Sequence, residues 1–253
     1  MPERTEYPPG LASWVDLAVP NVEAAQDFYG DLLGWKFDTV EVGRTHYSYC
    51  LKDGRKVAGL YAIPPGSQQP PAWNTYLGVA DLDEAVAAVQ ALDGTLVKGP
   101  KGYVDGGRVA VITDPCGATV CLRQPGTLPG YELVNEIGAS CWHELVVRDG
   151  KVAEQFYGNL FPYEFFEIDH SVAIMRLGNE PVGGRHQMPY LPAEFPSQWG
   201  VYFWVEDTEA TAVKVVELGG TIAFGPKITP HGPLAQCVDP FGARFTVIVS
   251  SEW

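Results

Sequence analysis

Apolar and polar positions along the 253-residue chain change period in a fixed order. WVDLAV (14–19) alternates, the two-residue period of a strand with one buried face. Asn21 then stands as an N-cap before Val22, Ala25, Phe28, Tyr29 and Leu32, which share one face of a helix. WKFDTV, HYSYCL and KVAGLYAI read as three short strands, and the turn-rich PPGSQQPPA closes the unit. The order then restarts. NTYLGV is strand-like, and Asp81 with Glu84 forms a capping box. Leu82, Ala85, Val86, Val89 and Leu92 make the helical stripe, and Gly94 ends it. TLVKGP, RVAVIT and TVCLRQ follow, the last two joined by an Asp-Pro-Cys-Gly turn.

The whole series recurs. SWVDL (13–17) returns as CWHEL (141–145), and FYGDLLGW at Phe28 returns as FYGNLFPY at Phe156, both 128 residues later. ITDPCGATVCL and CVDPFGARFTV repeat with Asp114 and Asp239 in register. In the second copy the helices are expected near 149–161 and from Asp207 to Gly219. The Pro- and Gly-rich QPGTLPGYELVNEIGAS (124–140) joins the copies. The pattern predicts an α+β chain of four βαβββ units, paired into domains at 1–125 and 141–253 with a linker at 126–140.

The strand plus FYGDLLGW, its echo FYGNLFPY and the two DPxG hairpins resemble the vicinal oxygen chelate superfamily of glyoxalases, bleomycin-resistance proteins and dioxygenases. WVDL, WNTY, LVNE and CWHEL further resemble its tandem-domain actinobacterial members of the 30 kDa culture-filtrate antigen type, often described as hydroxylases or glyoxalase-like. The resemblance spans the chain. It implies two tandem glyoxalase-like domains, each curling its sheet into a cup. This fold hosts lyases, isomerases, oxygenases and pure binders, so it does not itself name an activity.

The resemblance also implies metal-ligand positions on the first and last strand of each unit. They fall on Trp14, Asn74, Trp142 and Gly200, and near Gly59, Cys121, Gly184 and Thr246. None is His, Asp or Glu, so no metal ligand and no cofactor is expected from the family's usual set. A divalent metal held by other ligands, such as His186 with Glu144, stays open.

Strand alternation places Trp14 and Trp142 on the cup face, as stacking walls for a planar ligand or as plugs of the cup. Asp16 and Glu144 share that face. A carboxylate among aromatics is desolvated and suits general acid/base work; its recurrence with Trp at the same offset in both copies favours that role over a buried acid satisfied by its neighbours. His186 corresponds to Tyr61, and both are expected to face the cup; a hydrogen-bonded strand His is the common outcome. Asn74, Tyr76 and Tyr202 offer hydrogen bonds to a ligand or to the sheet edge. His143 is expected on the opposite face. GYVDGGRVAV (102–111) lacks a phosphate-loop pattern and reads as a mobile loop, from which Arg108 closes on an anionic ligand or simply meets solvent.

Seventeen basic residues against 31 acidic give a net charge of −14, which disfavours nucleic acid and anionic membranes as partners. The five cysteines show no paired spacing, no stretch has the length of a membrane span, and MPERTEYPPG is not a signal peptide. A cytoplasmic monomer acting as a pseudo-dimer is expected, with a homodimer as the alternative. The function expected is binding of a small planar or amphipathic molecule in metal-free cups. The alternative is an enzyme of the superfamily, a lyase, isomerase or hydroxylase, acting through Asp16, Glu144 or non-standard metal ligands.

Overall fold

The computed structural model describes residues 6–192 and 195–249; the start of the chain (1–5) lies outside them. The first unit is β1 (Ala12–Val19), α1 (Val22–Leu33), β2 (Lys36–Val42), β3 (Thr45–Lys52) and β4 (Arg55–Ala62). The second is β5 (Ala72–Gly78), α2 (Leu82–Ala91), β6 (Thr95–Gly102), β7 (Arg108–Thr113) and β8 (Thr119–Gln124). The third is β9 (Ser140–Val147), α3 (Gly150–Leu160), β10 (Tyr163–Glu167), β11 (Val172–Leu177) and β12 (Glu180–Gln187). The fourth is β13 (Gln198–Trp204), α4 (Thr208–Glu217), β14 (Thr221–Thr229), β15 (Gly232–Val238) and β16 (Arg244–Ile248).

Each pair of units builds one eight-stranded sheet, ordered β2-β3-β4-β1-β5-β8-β7-β6 and β10-β11-β12-β9-β13-β16-β15-β14. The first strands of paired units meet antiparallel at the centre, and each runs parallel to the last strand of its own unit. The helices begin where the chain supplies a cap. Asn21, Asp81, Asp149 and Asp207 each accept from a backbone N–H of the first turn. Gly34 ends α1 in the left-handed region, at φ 71°.

The two halves are joined by shared cores. One cluster unites Phe28, Tyr29, Trp35 and Trp73 with Phe203 and Phe245; the other unites Leu82, Val86 and Ile112 with Phe156, Tyr157 and Trp199. The repeated motifs are the fasteners. Tyr29 Oη donates to Asp239 Oδ2 at 3.0 Å, and Tyr157 Oη donates to Asp114 Oδ2 at 2.9 Å. Each hydroxyl also accepts from a tryptophan Nε1, Trp73 at 3.0 Å and Trp199 at 2.8 Å. FYG of one half is thus locked to DPxG of the other, which is why the two motifs recur together. Tyr29→Phe would strand a buried carboxylate oxygen and a buried indole N–H. It is expected to lower stability by about 2 kcal/mol in urea unfolding. An unchanged midpoint would remove the clamp from the account.

The joining segment is docked rather than loose. Tyr131 N donates to Ser13 O, and Glu132 N donates to Lys56 O. The Gly-rich turn after β6 is likewise held. Asp105 and Arg123 form a fully buried ion pair at 2.6 Å, and Asp105 Oδ1 accepts from Gly107 N. The expected mobile loop is therefore a fixed turn.

Candidate functional site

Strand register assembles each cup around its acid. In the first, Asp16 lies opposite Gly59 and Asn74, Trp14 opposite Tyr76, and Tyr47 opposite Tyr61. In the second, Glu144 lies opposite Gly184 and Gly200, Trp142 opposite Tyr202, and Val172 opposite His186. The acid, the Trp, one Tyr and one floor glycine are common to both. The remaining positions differ, and they decide what each cup can do.

The first cup is filled by its own side chains. Asp16 is fully buried. Its Oδ2 accepts from Tyr76 at 2.8 Å, Tyr103 at 2.9 Å and Tyr47 at 3.3 Å, and its Oδ1 accepts from Asn74 Nδ2 at 3.0 Å. Trp14 Nε1 donates to Tyr47 Oη at 2.8 Å, and its ring packs 5.4 Å from Tyr131. Tyr61 closes the top, its hydroxyl accepting from Asn74 and from Gln69 at 3.2 Å each. Burial pushes the Asp16 carboxyl above its usual range although four donors pull the other way. Burial and the same carboxylate raise Tyr47, Tyr76 and Tyr103 well above an ordinary phenol. Of the two roles open to them, meeting a ligand or packing within the cup, Asp16, Trp14, Asn74, Tyr61 and Tyr76 take the second: they bond to one another and, through Tyr47 and Tyr103, close over the acid.

The second cup lacks those fillers. Val172 stands where Tyr47 does, Ile174 where Tyr49 does, and Gly200 where Asn74 does. Counting from the Gly99-Pro100 and Gly225-Pro226 dipeptides, Thr229 stands where Tyr103 does. Glu144 keeps Tyr202, whose hydroxyl donates to Oε2 at 2.7 Å. Its side chain is 16% exposed, and His186 Nδ1 lies 3.9 Å from Oε2, beyond hydrogen-bond reach. Burial and Glu144 raise the Tyr202 phenol well above its usual value. Trp142, Tyr202 and Ile248 form a small buried cluster, with Ile174, Trp204 and Leu234 half-buried against it. Trp142, Glu144, His186 and Tyr202 thus come together as the alternation predicted.

Two other predicted residues lie elsewhere. Arg108, expected over a cup, shares a strand face with the core residues Ala110 and Ile112. It forms a two-pronged pair with Asp83 at 2.8 and 2.9 Å, on the opposite side of the sheet. His143 does face away from the cup, toward the other half. It is hydrogen-bonded to Tyr131 and Ser140 at Nε2 and to Thr75 at Nδ1, and burial lowers it to about 3. A separate groove of about 410 Å³ at the junction of the halves mixes Lys52 and Lys214 with Glu206 and Asp207, so it selects neither sign of ligand.

The glyoxalase/bleomycin resistance protein/dioxygenase superfamily model matches residues 12–122, the first sheet. A Mycobacterium bovis protein named "Putative glyoxylase CFP32" is 37% identical over 98% of each chain. The chain belongs to this superfamily. The anthracycline biosynthesis protein DnrV of Streptomyces peucetius is also similar, 33% identical over 98% of this chain and 96% of its own. Among solved structures, the Mn(II)-bound glyoxalase of Novosphingobium aromaticivorans superposes with a TM-score of 0.63 at 14% identity, covering 94% of this chain and 82% of that one. The 2,3-dioxygenase LapB of Pseudomonas sp. KL28 superposes with a TM-score of 0.65 at 13% identity, covering 95% and 92%. At that identity the likeness is one of fold.

A metal bound as in such folds needs converging His or carboxylate donors. The first- and last-strand positions of this chain carry Trp14, Asn74, Gly59 and Cys121 in one cup and Trp142, Gly200, Gly184 and Thr246 in the other. Among the described residues, no three of His, Cys, Asp and Glu are grouped to hold an ion. The residues present do not fit the family's metal.

Sequence reading by strand face missed Tyr47 and Tyr103, which decide that the first cup is closed. The signal was present in the duplication, in Tyr47 against Val172 and Tyr103 against Thr229. Among the described residues, no helix is long and apolar enough to cross a membrane.

Proposed function

We propose that this protein binds a small planar or amphipathic molecule in its second cup, while the first cup is a structural core. The observation that carries this reading is the replacement of Tyr47, Asn74 and Tyr103 by Val172, Gly200 and Thr229 around an otherwise repeated acid, Trp and Tyr. Among the described residues it leaves Glu144 hydrogen-bonded to one side chain where Asp16 has four. A partly exposed carboxylate beside apolar walls is a specific polar anchor in an otherwise hydrophobic site. A flat ligand suits the half-buried indole of Trp204. The name of the DnrV relative, which refers to polycyclic aromatic natural products, supports the same shape of ligand.

The test is a thermal-shift screen of planar and amphipathic metabolites against wild type and Val172→Tyr, which copies the first cup's filler into the second. Gly184 leaves the room that Gly59 leaves for Tyr47, so the variant is expected to fold. Compounds that stabilise wild type but lose at least about ten-fold in affinity for the variant are expected. Compounds acting equally on both would place binding elsewhere.

One observation favours a second reading. Glu144 and His186 are close enough for a bound molecule to touch both, the arrangement of an acid/base pair. Turnover of a ligand found in the screen, lost in Glu144→Gln with binding kept, would make the protein an enzyme of the superfamily.

A further inference from the structure

We propose that the groove at the junction of the two halves binds a small zwitterion, an apolar amino acid or short peptide, whose ammonium is held by Glu206 and whose carboxylate is held by the lysines Lys52 and Lys214. The site is separate from the second cup and does not depend on it.

The groove lies between the C-terminal end of α1, the first two turns of α4 and the joining segment at Ile137 and Gly138. At about 410 Å³ it falls in the size range that holds small molecules. Lys52 is laid along its wall. Its Nζ donates to Leu33 O at 3.2 Å, and a Cβ on Gly138 would lie 3.1 Å from its Cε. The Leu33 bond sets the ammonium at the negative end of α1 and leaves its other N–H donors for a ligand. On the α4 side, Glu206 and Lys214 are exposed, and among the described residues neither has a hydrogen bond or an ion pair. Lys214 stands about two turns along α4 from the Asp207 cap, so the groove runs from acid to base along that helix.

The duplication supplies an internal comparison. Trp35 Nε1 donates to Gly138 O at 2.6 Å at this junction, and Tyr163 Oη donates to Gly10 O at the other, so the two share one plan. Strand register carries Lys52 onto Leu177. Counting from the caps Asp207 and Asp81 carries Glu206 onto Ala80 and Lys214 onto Ala88. The common plan therefore needs none of these three charges. Asp207 differs from them: it recurs as Asp81, and its Oδ1 is engaged by Glu209 N and Ala210 N, which makes it a helix cap.

Unpaired charges of both signs around one groove suit a molecule that carries both. The net charge of −14 opposes a lone anion, and the two lysines oppose a lone cation. Leu32, Leu33 and the half-exposed Ile137 supply apolar surface for an aliphatic body.

The test titrates the isotope-labelled full chain with leucine and with leucyl-leucine, each beside its N-acetyl and C-terminal amide derivative. NMR follows the backbone amides of Gly34, Gly138, Ala210 and Thr211. At least one free zwitterion is expected to shift these amides to saturation, and comparing the two sets the preferred length. The acetylated form, which lacks the ammonium, and the amide, which lacks the carboxylate, are each expected to bind at least about five-fold more weakly. Glu206→Gln, and Lys52→Gln combined with Lys214→Gln, are each expected to weaken the zwitterion by at least about three-fold. An acetylated or amidated form that binds as tightly as its parent overturns the assignment, as do substitutions that leave its affinity unchanged. Saturable shifts confined to amides outside the groove, or none with any probe, also overturn it. The shifts and the comparison among probes are read on wild type, so they decide the matter even if a variant fails to fold.

Discussion

Gly59→Ala is expected to destabilise the protein by about 3 kcal/mol or more, and Gly184→Ala by less than about 1 kcal/mol. The two glycines occupy the same place opposite the two acids. Neither has the positive φ that only glycine adopts readily, so alanine is acceptable to the backbone at both. The difference lies in what stands above them. A Cβ on Gly59 would meet Tyr47 Oη at 1.9 Å and Cζ at 2.3 Å. Tyr47 cannot swing aside cheaply, because its hydroxyl is tied to Trp14, Tyr103 and Asp16 in a buried network. Displacing it leaves polar groups unpaired where no water reaches them. Among the described residues, a Cβ on Gly184 would meet nothing nearer than Trp142 Nε1 at 3.2 Å and Glu144 Oε1 at 3.4 Å, which a small shift relieves. Urea unfolding of both variants measures the contrast. Equal losses would mean that the cups are equally filled and would contradict the asymmetry on which the binding proposal rests.

Acid is expected to destabilise the protein through His143, by on the order of 4 kcal/mol between pH 6.5 and 3. His143 is neutral in the folded protein because burial lowers it to about 3. In the unfolded chain it takes up a proton near pH 6.5. Within that window the unfolded state binds more protons than the folded state, so stability rises with pH. It is complete above pH 6.5 and is lost as pH falls. The slope from this one group approaches about 1.4 kcal/mol per pH unit in mid-window. Asp16 acts in the opposite sense: its carboxyl is raised by burial, so the folded state holds that proton more tightly and stability falls as pH rises through its titration. Comparing wild type with His143→Gln isolates the histidine. The difference in unfolding free energy between them should change steeply below pH 6.5 and be flat above it; a difference independent of pH would show that His143 is accessible to protons in the folded state.

Much of this molecule is legible locally. Periodicity in Val22, Ala25, Phe28 and Tyr29 gives α1, and Asn21, Asp81 and Asp207 mark helix starts that the structure places at their caps. Alternation puts Trp14 with Asp16, and Trp142 with Glu144, on one face, as found. FYG and DPxG were visible as repeats, but their purpose was not, since Tyr29 and Asp239 are 210 residues apart. The fate of Asp16 was equally hidden. Its donors Tyr47 and Tyr103 come from 31 and 87 residues away, on a neighbouring hairpin and the turn after β6. Arg108 was misplaced because a residue at the mouth of a hairpin looks free in sequence. The strand's parity sends it to the helix side, where Asp83 stands in the first turn of α2.

The sequence by itself determined the duplication, the four βαβββ units, the superfamily and the face on which each acid stands, because strand and helix periods and repeated motifs are local properties of the chain. Only the tertiary structure decided that the two acids live in different surroundings. Whether a carboxylate is sealed or reachable depends on side chains that distant strands deliver to it. Three phenols and an amide close over Asp16, while among the described residues one phenol reaches Glu144, with valine, glycine and threonine at the positions of Tyr47, Asn74 and Tyr103.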